Sequence, residues 1–189
     1  MSIIAEIKNR RAIRDYAERE VEDEKIKTLL EAATWAPNDR MREPWGFFVI
    51  KGKAKKRYEA MAYDYLQERF PTKPHLIESS LKVLKTTPVH IVVTADIVPG
   101  DEEASIDNEY AVCCAIHSMW LAAKELGLGL VWRTRGVGLV RDNRMYEFIG
   151  APENKKIIGN LFIGYPDDEA LKKAKAHVRT SFEEKTIWL

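Results

Sequence analysis

A single α+β domain is what this 189-residue sequence predicts. Helical spacings of apolar residues alternate with short β-prone runs along one chain, without repeats or low-complexity stretches. Residues 89–95 are apolar almost throughout, the pattern of a strand covered on both faces. Residues 110–126 are apolar around nearly the whole helical circumference, so this stretch must be buried on most sides. A chain of this length has room for one core and little more.

The elements follow in order. Ile3, Ile4 and Ile7 share a helical face, predicting a short helix over 2–9 and an irregular stretch after it to Val21. Glu22-Asp23-Glu24 places acids where a helix dipole favours them, opening a helix over 23–35 that Pro37 stops. A polar loop leads to Pro44, and the aromatic and branched residues 45–50 read as a strand. Two helices fill 53–70 and 73–86, separated by Pro71 and Pro74, and a second strand covers 89–95. A loop with Pro99-Gly100 spans 96–104, before the long helix over 105–127. A third strand begins at Leu130, a helix lies near 141–149, and a fourth strand covers 156–164. A charged segment and the tail 177–189 follow, ending in Thr186-Ile187-Trp188-Leu189, an apolar β-prone terminus suited to joining a sheet. The long apolar helix asks for more cover than one small domain supplies, so a subunit interface is expected along it.

Composition narrows the function. Lys and Arg number 30 against 29 Asp and Glu, for a formal charge of +1, which argues against a nucleic-acid binder. Cys113 and Cys114 are adjacent and the chain holds no other cysteine, so a disulfide framework is not expected. With no secretory signal pattern at Met1 and no run of 18 apolar residues, the sequence reads as cytoplasmic, without a membrane span. The histidines at 75, 90, 117 and 177 lack metal-ligand spacing, so no metal is expected. A nucleophile elbow, a P-loop and a dinucleotide glycine fingerprint are all missing; Gly127, Gly129, Gly136 and Gly138 straddle a strand instead of opening a helix. An enzyme built from these residues has to borrow its chemistry from a cofactor.

Three segments carry candidate contacts. Arg10-Arg11-Ala12-Ile13-Arg14 sets three guanidinium groups within five residues, able to fork onto phosphate or a polar ring edge. Cations at a helix C-terminus that face water would give the same pattern. Ala36-Pro37-Asn38-Asp39-Arg40-Met41-Arg42-Glu43-Pro44-Trp45 is a polar loop pinned by two prolines, either a ligand loop or a solvated turn. Trp132-Arg133-Thr134-Arg135 ends an apolar strand with donors able to meet a planar heterocycle, or simply frays into a basic loop.

Taken together and in this order, the arginine run, the A-P-N loop reaching P-W, the apolar helix ending in G-L-G, the Trp-Arg-Thr strand end and the late I-G-Y-P resemble the FMN-dependent nitroreductase family, and in particular a small-subunit NAD(P)H nitroreductase-like subgroup. The resemblance covers nearly the whole chain. It implies a three-layer sandwich with a central, mostly antiparallel sheet flanked by helices and a C-terminal tail that adds to the partner's sheet. It also implies a homodimer with two FMN sites shared between subunits. Arg10, Arg11, Ala12 and Arg14 would follow the phosphate, ribityl chain and ring edge. Trp35 joins the cofactor-binding set, and Asn38, Asp39 and Met41 would come from the partner's side. Trp132, Arg133 and Thr134 would lie under or beside the isoalloxazine near N5, and Arg179 would help to hold the phosphate.

The implied activity is ping-pong hydride transfer from NADH or NADPH, through flavin N5, to nitroaromatics, quinones or similar flat electron-poor acceptors. No side chain is needed as acid or base, and the sequence does not choose between the two nicotinamides. Two departures bear on the site: Ala12 stands where the family has serine, and Asp39 where relatives carry histidine, leaving a carboxylate for Arg40 or Arg42 to neutralise. The alternatives are a flavoenzyme of this fold acting on a specific metabolite, as a dehalogenase or dehydrogenase, or a flavin-binding or sensing module without turnover.

Overall fold

The computed structural model describes residues 2–173 and 178–189; His177, one of the four histidines, lies outside them. The chain forms α1 (Ile3–Asn9), α2 (Asp23–Thr34), β1 (Trp45–Ile50), α3 (Gly52–Arg69), α4 (Pro74–Thr86), β2 (Val89–Asp96), α5 (Glu102–Glu125), β3 (Gly129–Arg133), α6 (Asn143–Ile149), β4 (Lys155–Gly164) and α7 (Asp168–Lys173). Short 3-10 turns lie at Asp39–Met41, Gly136–Gly138 and Phe182–Lys185.

The four strands make one antiparallel sheet in the order β1-β2-β4-β3. Alternation along β2 explains its apolar run. Val89, Ile91, Val93 and Ala95 enter a core with α2 and α5, whereas Val92 enters the opposite core with Tyr58 and Leu66 of α3, Leu84 of α4 and Met145 of α6. Helices therefore cover both faces, and the expected three-layer α+β arrangement holds. Each fully buried aliphatic side chain contributes about 1.5–3 kcal/mol.

Three features differ from expectation. Helix α5 starts at Glu102, not 105, because the Asp101 carboxylate caps it by accepting from the Ala104 N–H at 2.9 Å. The charged stretch after Pro166 contains α7, with Asp168 and Glu169 in its first turn. The tail 186–189, expected to join a sheet, joins no strand within the chain.

His90 is fully buried between Tyr58 and Phe162, edge-to-face with both rings, at centroid distances of 5.1 and 4.3 Å. Burial, with Lys55 and Arg133 pushing the same way and the Leu84 backbone opposing, lowers its pKa to about 3. The unfolded chain takes up this proton below about pH 6.5, while the folded chain refuses it until about 3. The contribution is complete above 6.5 and lost as pH falls, by up to about 1.4 kcal/mol per pH unit. Urea titrations between pH 5 and 7 should show this slope, and His90→Leu should flatten it; equal slopes would clear His90 of the effect.

Candidate functional site

The segment after α1 is irregular but clamped. The Ile13 N–H donates to Leu130 O of β3 at 3.2 Å, and the Ala17 N–H to Tyr165 O at 2.9 Å. The buried Tyr16 hydroxyl lies 2.7 Å from Phe162 O and 2.8 Å from Ile13 O, with one proton for the two carbonyls. From the other side, Trp120 Nε1 of α5 donates to Arg11 O at 3.2 Å. Gly129 allows this close approach: a Cβ there would stand 2.7 Å from the Ile13 side chain.

The clamp fixes where the arginines go. Arg10 is half-buried, with its guanidinium 4.1 Å from the Trp120 ring centroid. Burial and the nearby positive charges of Arg179 and Arg11 all push its pKa down. Arg179, from the tail, is thus brought next to the arginine run. Arg11 also donates to Lys8 O and Arg10 O, so part of its capacity serves the end of α1. Beneath the run lies a cavity of about 480 Å³ lined by Arg10, Arg11, Ile13, Trp120, Leu128 and Tyr165, among others.

A second pair of like charges sits along the same segment. Arg133 turns inward, 4.8 Å over the Phe162 ring, with its Nε buried and without a hydrogen bond. Burial lowers its pKa first and Arg14 adds to this, while Tyr16 and Tyr58 oppose. Ala12, half-buried, separates the two pairs. The strip thus runs from Arg10 and Arg179, past Ala12, to Arg14 and Arg133, with cations at both ends: the charge pattern of a site for an elongated ligand with an anionic head and an electron-rich edge.

At the end of β3, the three predicted residues part company. The Trp132 indole lies on the sheet over Gly159, donates from Nε1 to Ile158 O at 3.3 Å, and lines neither this cavity nor the one beyond Thr134. Thr134 is exposed on that second cavity, of about 450 Å³. The turn that follows is tied from below: the Tyr58 hydroxyl donates to Val137 O, and Asn160 Nδ2 to Tyr58 Oη at 3.0 Å and Gly138 O at 3.3 Å.

Trp35, Asn38, Asp39 and Met41 form a separate group, and none of them lines either cavity. Their loop is shaped at a cost. Arg40, Met41 and Glu43 all have positive φ, between 48° and 53°, a conformation costing about 1–3 kcal/mol for each non-glycine residue. Asn38 Oδ1 accepts from the Glu43 N–H at 2.9 Å and holds the loop closed. Asp39 meets Arg42 at 2.9 Å and Arg40 at 3.6 Å, so both expected neutralising partners are in place. Trp35 and Met41 stand 83% and 74% exposed, which suits contact with another surface better than contact within the chain.

Sequence reasoning missed Trp120, which reads as one more member of an apolar helix, and Tyr58 and Asn160, which carry no motif. Only the tertiary contacts reveal their parts. Among the described residues, no cluster of metal-ligating side chains forms, and no helix is long and apolar enough to cross a membrane.

Comparison with known proteins agrees with this fold. The model of the nitroreductase family matches residues 7–165. A Bacillus subtilis protein named as a candidate NAD(P)H nitroreductase, YfhC, is 27% identical over 94% of this chain and 91% of its own. The structure of a nitroreductase-like family protein from Bacillus cereus, 29% identical, superposes with a TM-score of 0.86 over 100% of this chain and 96% of that one. The FMN-dependent nitroreductase NfnB from Mycobacterium smegmatis, solved with NADPH, shares the fold at a TM-score of 0.79 and 18% identity, over 98% of this chain and 97% of its own. With the match spanning the arginine run, the pinned loop and the Trp-Arg-Thr strand end, this chain belongs to the nitroreductase family and is an oxidoreductase.

Proposed function

We propose that this oxidoreductase holds FMN along the strip from Arg10 and Arg179 to Arg14 and Thr134, and uses NADH or NADPH to reduce flat, electron-poor acceptors. The observation that carries the reading is the crowding of Arg179 and Arg11 on the half-buried Arg10, which an anion between them would relieve. When bound, FMN supplies a two-electron relay at N5, fed by a reduced nicotinamide and drained by a nitroaromatic or quinone in a second half-reaction. The chain's own tasks are to bind and orient. Arg10 and Arg179 hold the phosphate. The Ala12 backbone N–H replaces the hydroxyl that serine would offer, and Arg14 and Arg133 put positive charge beside the polar ring edge. No acid or base is demanded of a side chain.

The same reading calls for a homodimer. Trp35, Asn38, Asp39 and Met41 then complete the site of the other subunit. One side of α5 leaves Tyr110 65% exposed, with Ile106, Cys114 and His117 exposed along the same face. Ile187 and Trp188 of the tail, 84% and 86% exposed, add a second apolar surface. An interface of obligate type buries more than roughly 2,000 Å² in total and would cover both. Asp39 gives little support to a sensing module, since its charge is met by Arg42 and Arg40.

Purified protein should be yellow, release FMN on denaturation and bleach anaerobically with a reduced nicotinamide. Light scattering should give twice the 21.7 kDa chain mass. Colourless protein that FMN does not reconstitute would end the reading, and a stable flavin-loaded monomer would end the shared site.

A further inference from the structure

The cavity beyond Thr134 is a different environment from the one under the arginine run. Its walls are Tyr65 and Arg69 at the end of α3, Thr134 to Gly136 after β3, and Leu139 to Asp142 leading into α6. Three arginines, Arg69, Arg135 and Arg141, converge on it. Among the described residues none of the three has an ion pair; Arg69 only lies 5.9 Å from the Phe70 ring centroid.

The nearby acids are spoken for. Glu68 pairs with Arg144, and Asp142 pairs with Arg144 Nε at 3.4 Å while accepting from the Arg144 N–H at 3.0 Å as the cap of α6. Asp64 pulls on the same guanidinium. Arg144, outside the cavity, thus engages Glu68 and Asp142, the one acid in the lining, and leaves the three arginines that line it without an ion pair among the described residues. A surface laid out only for solubility would intersperse the two signs. The turn carrying Arg135 is also held in place, by Tyr58 and Asn160 beneath it.

We propose that this cavity is a second anion site, which seats the phosphate groups of the reduced nicotinamide dinucleotide while its nicotinamide reaches the flavin past Thr134. This rests on the FMN reading above. A volume of about 450 Å³ lies in the range of pockets that hold small ligands. Guanidinium groups fork onto phosphate oxygens in pairs of parallel bonds. Both nicotinamides carry the pyrophosphate, and NADPH adds a dianionic 2′-phosphate. With three uncompensated cations available, NADPH is the better donor.

The test uses the FMN-saturated protein, four donors and four variants. The donors are NADPH, NADH, reduced nicotinamide mononucleotide and N-benzyl-1,4-dihydronicotinamide, which has no phosphate. Arg69→Ala and Arg141→Ala should each raise KM for NADPH about tenfold or more with little change in kcat. They should raise it less for NADH, and leave the benzyl compound unchanged. Lys82→Ala, an equal loss of charge on α4, should change nothing. Calorimetry gives a readout without turnover: adenosine 2′,5′-bisphosphate should bind wild type and Arg10→Ala alike but bind Arg141→Ala at least about tenfold more weakly. Parallel losses with the benzyl compound, unchanged KM for every donor, or bisphosphate binding that follows Arg10 instead of Arg141 would each overturn the proposal. Failure of the FMN reading would show differently, as protein that binds no flavin and is not reoxidised by any acceptor.

Discussion

Replacing Arg10 with alanine is expected to weaken FMN binding about 10- to 150-fold and to leave riboflavin binding almost unchanged. The range follows from losing charge-assisted hydrogen bonds worth roughly 1.5–3 kcal/mol, at 1.4 kcal/mol per factor of ten. Riboflavin lacks the phosphate, so the difference between the two ligands isolates the phosphate contact from any damage to the ring site. The structure adds a second expectation. Arg10 lies on the Trp120 ring at 4.1 Å, a cation–π contact worth about 0.5–1 kcal/mol at an exposed site, so the variant should also lose a little stability. Arg10→Lys should keep the charge yet lose the fork and the stacking, falling between alanine and wild type. Fluorescence quenching of both flavins, in all three proteins, gives the comparison. Equal losses for FMN and riboflavin would move Arg10 to the ring or the scaffold. Unchanged FMN affinity would return the arginine run to the solvated end of α1.

What the sequence made legible was what lies in local order. Strand β1 falls at Trp45–Ile50, and α4 and β2 end within one or two residues of expectation, because prolines and apolar periodicity mark them. The arginine run and the Asp39 loop were visible as clusters. Left-handed backbone at Arg40, Met41 and Glu43 was not, since none of these residues is one that favours it. Nor was the split within Trp132-Arg133-Thr134. Three successive residues at a strand end point alternately to the two faces, so one motif reaches three environments. Trp132 packs on the α2 and α5 side, Arg133 over Phe162 in the other core, and Thr134 beside a cavity. The second cavity was equally hidden, because Arg69 and Arg141 stand far apart in sequence and only Arg135 belongs to the motif.

Gly159→Ala should be among the most damaging single methyl additions in the chain, and it bears directly on what Trp132 does. A Cβ at Gly159 would overlap Nε1 and Cδ1 of Trp132 and stand 3.1 Å from Cε2. The neighbour is a flat ring held by its own hydrogen bond to Ile158 O and packed against the α2–α5 core, so it cannot yield by a small rotation. Overpacking of this kind costs about 1–3 kcal/mol, and the displaced indole gives up a hydrogen bond worth about 1 kcal/mol more. A loss of about 3 kcal/mol in urea unfolding, at fixed protein concentration, is the expected result. If the clash with Trp132 is its source, Trp132→Leu should remove most of the added cost. The double-mutant cycle should then show a coupling at the upper end of about 0.5–3 kcal/mol, and near-additive losses would mean that Gly159 is constrained by something else. The flavin arm decides the role of the tryptophan. As part of the scaffold under β3, Trp132→Leu should leave riboflavin affinity within about threefold of wild type, the effect of well under 1.4 kcal/mol. As a surface beneath the isoalloxazine, it should lose a stacking contact worth about 0.5–1.5 kcal/mol, alter flavin quenching and carry the same loss to FMN. The indole's position over Gly159, away from both cavities, favours the first outcome.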